Sequence, residues 1–259
     1  MSLYLQILAA LAEAPTQQQR LLVLHTPLGA EVLLAERARI DEAIAPNAAD
    51  DAPCACRVVV HALAADTHIE LKHLIGQPAL LELLTAASRT SLRPFHGHIT
   101  EAALVGSDGG LARYRLVIEP WLAFLAHRTD AYVFQRASVI QIVEQVFADY
   151  QAQGKLAPAW RWDLADPAVY AERSLSIQYL ESDLDFITRL LREEGLFSWF
   201  EHESNIREGD VASPSLGRHT LVIADHNGAF KPNAQAQVLA VVSQRTNLAV
   251  RPRFDGWLS

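Results

Sequence analysis

The spacing of apolar residues divides the chain into a strand-rich first part, a helical middle and a second strand-rich part. From Arg20 to Leu125, runs such as RLLVLHT, CRVVVHAL, PALLELLT and FHGHIT are bounded by Pro, Gly or Asp and carry β-formers or alternation. Each predicts a strand. The best-defined unit is ITEAALVGSDGGLARYRLVIEP, where Asp108, Gly109 and Gly110 separate two strands with residues that tolerate positive φ. This predicts a β-hairpin. In its second strand Tyr114, Leu116 and Ile118 alternate with Arg113, Arg115 and Val117, so one face is expected in the core and the other mostly in water. Pro120 ends the ladder, and Trp121 is expected to pack just after it.

The period changes at Ser138. In SVIQIVEQVFADY, Val139, Val143, Val146 and Tyr150 recur at helical spacing, joined by Ile142 and Phe147, and Ser138 followed by Gln141 forms a capping-box sequence. QAQGKLAPAWRWDLADP, broken by Gly154, Pro158 and Pro167, reads as an irregular connection. A second helix follows in YLESDLDFITRLLREEG. Ser182 and Asp185 repeat the capping pattern, Leu184, Ile187 and Leu191 share a face, and Gly195 stands where a left-handed stop is wanted. LFSWFEH and HTLVIAD then read as strands. A helical middle between strand-rich flanks predicts an α+β fold rather than repeated βαβ units.

Composition narrows the functional classes. The 259 residues are 50% hydrophobic and 20% charged, as in a soluble globular protein. A net charge of -8 without a basic stripe argues against nucleic acid as a partner. Cys54 and Cys56, one residue apart, are too close for an ordinary disulfide and predict two reduced, structural thiols of a cytoplasmic protein. The opening LYLQILAALAEA has no Lys or Arg before it, unlike a signal peptide, and predicts a short amphipathic helix or loose arm. No apolar run is long enough for a membrane span. The tract APNAADDAP predicts a loop.

No phosphate-binding loop, dinucleotide fingerprint, zinc-protease motif or nucleophile elbow occurs. Two clusters remain. His96 and His98 flank Gly97 and would share a strand face, which suits a metal given a third ligand, but partly exposed sheet histidines are the plainer expectation. The block from Tyr179 to Glu203 is rich in carboxylates, and a glycosidase reading would nominate Asp183 and Glu201 beside Trp199. The structural reading accounts for more of them. Asp183 and Asp185 lie in a first helical turn, and Arg189 stands four residues from both Asp185 and Glu193. Glu201, His202 and Glu203 keep no local role. Phe197 and Trp199 would share one strand face, with Phe200 on the other.

The ordered strings RPFHGHITEA, SDGGLARYRLVIEPWLAFLAHRTDAYVFQ, SVIQIVEQVFADY, IQYLESDLDFITRLLREEGLFSWFEHE and HTLVIAD resemble the amino-terminal hub domain of the VgrG spikes of type VI secretion, similar in turn to the hub of contractile phage tails. The resemblance runs from about Arg20 to Asp225. It implies a β-rich, phage-tail-hub-like α+β domain of two barrel-like lobes with a helical insertion. Residues 1–19 would be the arm, 20–127 the first lobe, 128–195 the insertion and 196–259 the start of an incomplete second lobe. It further implies a structural adaptor, not an enzyme, needing no cofactor or metal. Three chains would form a ring on the Hcp tube, cytoplasmic before firing and then secreted through the type VI apparatus without a signal peptide. Spike-tip protein and effectors would attach through a C-terminal part that this sequence, ending in RPRFDGWLS, lacks. A truncated remnant without function is the third reading. The scaffold residues singled out are Asp108, Gly109, Gly110, Trp121, Ser182, Asp185 and Gly195.

Overall fold

The computed structural model describes residues 20–29, 31–44, 54–85, 88–108, 111–151, 156–206 and 215–231. The expected amino-terminal arm, the APNAADDAP loop, Gly109 and Gly110 of the hairpin, and the chain after residue 231 lie outside the described residues.

Six strands form one antiparallel sheet in the order β1-β4-β5-β6-β3-β2: β1 Leu22–His25, β2 Leu34–Glu42, β3 Cys56–Ala64, β4 Pro78–Thr85, β5 Ser88–Asp108 and β6 Leu111–Glu119. The sheet curls until its edges approach, and Arg20, just ahead of β1, donates to the Ala35 carbonyl of β2 at 3.2 Å. Alternation explains the curl's inside. Val58, Val60 and Ala62 of β3 and Tyr114, Leu116 and Ile118 of β6 are buried, while Arg113 and Arg115 turn outward to Glu36 and Glu101 at 2.7 and 2.8 Å. The expected hairpin is β5–β6, with Asp108 opposite Leu111. β5 pairs with β4 through its first half and with β6 through its second. Gly97, between those halves, lies so close to β6 that a Cβ there would meet the Glu119 carbonyl oxygen at 2.6 Å.

The middle of the chain is less helical than its periodicity predicts. Helix α1 (Val139–Ala148) and helix α2 (Asp183–Glu193) are present, but β7 (Thr129–Ala137), β8 (Trp160–Asp163) and β9 (Arg173–Ser182) are strands. WRWD, within the segment read as irregular, is therefore β8, and YLES is the end of β9 rather than the approach to a helix. β7 and β9 form a two-stranded antiparallel ribbon, and β8 joins β10 (Phe197–Ser204) and β11 (Gly217–Ala224) in a second sheet of order β10-β11-β8.

Both helix starts follow from their sequences. Ser138 Oγ accepts from the Gln141 amide, and the Gln141 side chain accepts from the Ser138 amide. Ser182 Oγ accepts from the Asp185 amide at 3.1 Å. Helix α2 stops in a paired arrangement: Leu196 N–H donates to Leu191 O at 2.8 Å, and Gly195 N–H, with φ +71°, donates to Arg192 O at 3.1 Å. Its apolar stripe of Leu184, Phe186, Ile187, Leu190 and Leu191 is buried, and Phe186 stacks on Phe134 of the ribbon at 5.6 Å. The 3-10 helix Trp121–His127 leads from the large sheet into this layer. Trp121 is fully buried, edge-on to Phe147 of α1 at 4.8 Å and near Trp160 and Phe200 of the small sheet. One side chain thus ties three layers together.

Candidate functional site

The carboxylate-rich block resolves into structural roles. Asp183 opens α2 completely buried. Tyr150 donates to it at 2.6 Å and Gln178 at 2.8 Å, while Arg128 Nε lies 2.7 Å away in an ion pair without hydrogen-bond alignment. Burial and this bond to Asp183 push the Tyr150 hydroxyl well above the usual phenol range, away from acid–base work at neutral pH. Asp185 does not pair with Arg189 as helical spacing suggests. Arg189 bonds Glu193 at 3.0 Å and reaches back to Glu181 and the Ile177 carbonyl of β9, because β9 lies beside the helix. Glu201 is held by Arg161 at 3.1 Å and Lys231 at 2.9 Å, and Glu203 by Arg218 at 2.8 Å. Asp183 is closed to solvent, and Glu201 is spanned by two cations. Trp199 stacks with Phe197 at 5.9 Å and lies 4.8 Å from Phe230, so the aromatic face weighed for sugars is already covered.

The histidines depart most from expectation. His96 and His98 are buried rather than partly exposed, because β10 and β11 of the small sheet pack across β5. His219 of β11 is also buried, and His202 of β10 joins them with its Nε2 enclosed. The Trp121 amide donates to His219 Nε2 at 2.8 Å, the His219 and His96 Nδ1 atoms are 2.8 Å apart, and His96 Nε2 lies 2.8 Å from the Ser215 carbonyl. The backbone fixes the tautomers. His219 must accept at Nε2, so it carries its proton on Nδ1 and donates to His96, which then donates from Nε2 to Ser215. Among the described residues no three His, Cys, Asp or Glu side chains converge as a metal ion requires. Cys54 and Cys56 are free and buried, and burial pushes the Cys54 thiol up to about 12 and Cys56 well above the usual thiol range.

A second feature was invisible to motif reading. The outer face of the β7–β9 ribbon pairs Val133 with Ile177, Gln135 with Leu175 and Ala131 with Tyr179. Val133, Leu175, Ile177 and Tyr179 are all exposed, Tyr179 by 73%. Beside them Leu180 is the extra residue of a bulge, with φ +53° and 67% exposure. This apolar strip faces outward, with Phe134, Ser176 and Gln178 on the inner side. Its sequence signal is apolar residues at alternate positions in AYVFQ and SLSIQYL that the core does not use.

The residues singled out from sequence fall apart in space. Asp108 closes the β5–β6 pairing, Trp121 sits at the junction of the layers, and Ser182, Asp185 and Gly195 bound α2. No helix among the described residues is long and apolar enough to cross a membrane.

Residues 55–257 match the family described as phage tail baseplate hub (GPD). The chain is 31% identical over 219 residues to the type VI secretion system spike protein VgrG1b of Pseudomonas aeruginosa, covering 84% of this chain and 26% of that protein. It is likewise 31% identical over 226 residues to VgrG1a of the same organism, covering 86% of this chain and 30% of the relative. The chain therefore spans about a quarter to a third of the length of the curated relatives it matches. Among solved structures, an E. coli protein described as a type VI secretion component similar to T4 bacteriophage tail proteins gp27 and gp5 superposes with a TM-score of 0.58 at 21% identity. That likeness covers 81% of this chain and 50% of the other and shows a shared fold.

Proposed function

The chain belongs to the phage tail baseplate hub family, and from that premise we propose that it serves as the hub part of a type VI secretion spike, three copies forming an adaptor between the Hcp tube and the needle expelled with effectors. In this reading it acts by shape and adhesion, and it leaves the cell through the apparatus. The proposed division is residues 20–127 as the first lobe, 128–195 as an insertion that contains the ribbon, and 196–259 as the start of a second, incomplete lobe, with β8 of the insertion pairing into the sheet of β10 and β11.

The observation that carries the self-association is the outward strip of Val133, Leu175, Ile177 and Tyr179 with the Leu180 bulge. A contiguous apolar patch rimmed by charge is unfavourable in water and marks a surface that another protein covers. A symmetric assembly uses one such patch in every copy. The experiment is sedimentation of the chain across a concentration series, with Val133→Lys/Ile177→Lys in parallel. The expected result is concentration-dependent mass growth toward three chains, lost in the double variant while its circular dichroism and thermal unfolding stay unchanged. A wild-type chain that remains monomeric at every concentration, or association indifferent to the two lysines, overturns the reading.

A further inference from the structure

The contact between the large and small sheets is lined by histidines. His96 and His98 come from β5, His202 from β10 and His219 from β11, and the Ser215 carbonyl precedes β11. Gly217 is part of the same fit, since a Cβ there would stand 2.5 Å from the Glu203 carbonyl oxygen and 3.1 Å from the His96 ring. Two of the bonds made by His96 and His219 exclude a further proton: the Trp121 amide needs a bare Nε2 on His219, and the ring-to-ring bond needs one of the two Nδ1 atoms bare, while the Ser215 carbonyl accepts from His96 Nε2 in either state. A proton added to His96 Nδ1 would face the His219 N–H head-on at 2.8 Å. A proton added to His219 Nε2 would face the Trp121 amide. His202 Nε2 is enclosed with no acceptor to receive a new N–H.

Among the described residues, the carboxylates on the elements around His96, His202 and His219 are already engaged elsewhere. On β4, Glu82 is bonded by His25 of β1 at 2.9 Å, and Glu119, the last residue of β6, is taken by Arg57 and Thr100. On β10, Glu201 and Glu203 are held by Arg161 and Lys231 and by Arg218. Arg93 on β5 acts on His202 with the wrong sign, and the histidines repel one another's protonated forms. From the 3-10 helix His98 meets the uncharged ring of Phe124, which lies 6.2 Å from His127. A cleft of about 260 Å³ lined by His96, His98, His219 and Arg218 gives solvent protons a way in.

We propose that this histidine joint is an acid-sensed latch: protons taken up from solvent by rings already committed to neutral hydrogen bonds release β10 and β11 from β5 and leave the six-stranded sheet closed. Burial holds His96 and His202 down at about 4 and His219 well below the ordinary histidine value, so the latch is closed at neutral pH. Opening restores ordinary histidine affinity for protons. Each ring therefore favours the open joint by about tenfold per pH unit below about pH 6.5.

The experiment is amide hydrogen exchange of the whole chain, corrected for intrinsic rates, from about pH 7 to about pH 5, where one ring alone predicts about a twentyfold change. Protection of β10, β11 and the Trp121 amide is expected to fall by at least that factor relative to β3 and β6. His202→Phe, which matches the neighbouring Phe95 and Phe200 rings in shape, is expected to lower the slope by one proton. Protection in β10 and β11 that stays level relative to β3 and β6 overturns the latch. So does parallel loss in all strands, or an unchanged slope in a folded His202→Phe protein. The wild-type arm decides even if that variant fails to fold.

Discussion

Glycine carries opposite constraints at two sites in this chain. At Gly217 the backbone is ordinary but space is absent, so Gly217→Ala forces a methyl against the Glu203 carbonyl and the His96 ring. The expected cost is about 1–3 kcal/mol, with the small sheet loosened first. At Gly195 space is open but φ is +71°, so Gly195→Ala strains only the backbone and is expected to cost about 1 kcal/mol. Urea denaturation of both variants, with near-ultraviolet circular dichroism for the tryptophans around Trp121, separates crowding from strain. Asp183 presents the contrasting case of a buried charge. Asp183→Ala leaves the buried Tyr150 hydroxyl without its acceptor and takes one partner each from Arg128, which keeps Asp149, and Gln178, which keeps the Glu181 carbonyl, and about 3 kcal/mol of destabilisation is expected from the same denaturation curves. A cost near zero would show that these three groups find solvent instead.

At the scale of elements, legibility depended on whether the information was local. Helix α1, the start and stop of α2 and the β5–β6 hairpin could be read because caps, turn residues and alternation lie within a few positions of one another. The ribbon could not. β7 and β9 pair residues such as Ala131 and Tyr179 far apart in sequence, and their outer face is apolar, so no apolar-in, polar-out rhythm marked them as strands. His202 and His219 gain their meaning only when β10 and β11 fold against β5, a contact that no spacing along the chain encodes. The bulge at Leu180 yields a prediction of its own. A leucine with φ +53° is strained and 67% exposed, so Leu180→Gly relieves the backbone while removing little buried contact. Thermal unfolding of the monomeric chain is expected to stay level or rise slightly. Self-association measured by sedimentation is expected to weaken, because the same leucine sits beside the apolar strip.

For the whole molecule, the balance between buried rings and surface acids sets the response to pH. The native protein holds His96, His202 and His219 below their ordinary proton affinity, so between about pH 6.5 and about pH 4 the unfolded chain binds more protons. Stability must then fall as pH falls through that window, and the histidine contribution is intact above it. Glu36, Glu101, Glu193 and Glu201 are also held low, the first three chiefly by hydrogen bonds from arginines and Glu201 by Lys231 and Arg161 against the cost of burial. They lie at or near the surface, and their contribution is lost only as pH falls into the ordinary carboxylate range and below it, and is blunted by salt. On the alkaline side the signs reverse. Cys54 is raised to about 12 and Tyr150 well above the usual phenol range, so the unfolded chain releases those protons first and stability declines as pH rises past the ordinary thiol and phenol values. Urea midpoints taken across this range at constant salt are therefore expected to form a plateau from about pH 6.5 to about pH 8.5. The acid shoulder should begin near the histidine value, with a slope of more than one proton, about 1.4 kcal/mol per pH unit for each. Because the rings are buried and, among the described residues, form no ion pair with a surface carboxylate, raising the salt concentration should leave that shoulder in place. A curve that stays flat until the carboxylates titrate would mean that the joint accommodates protons, and that the neutral hydrogen-bond chain from Trp121 to Ser215 does not hold the two sheets together.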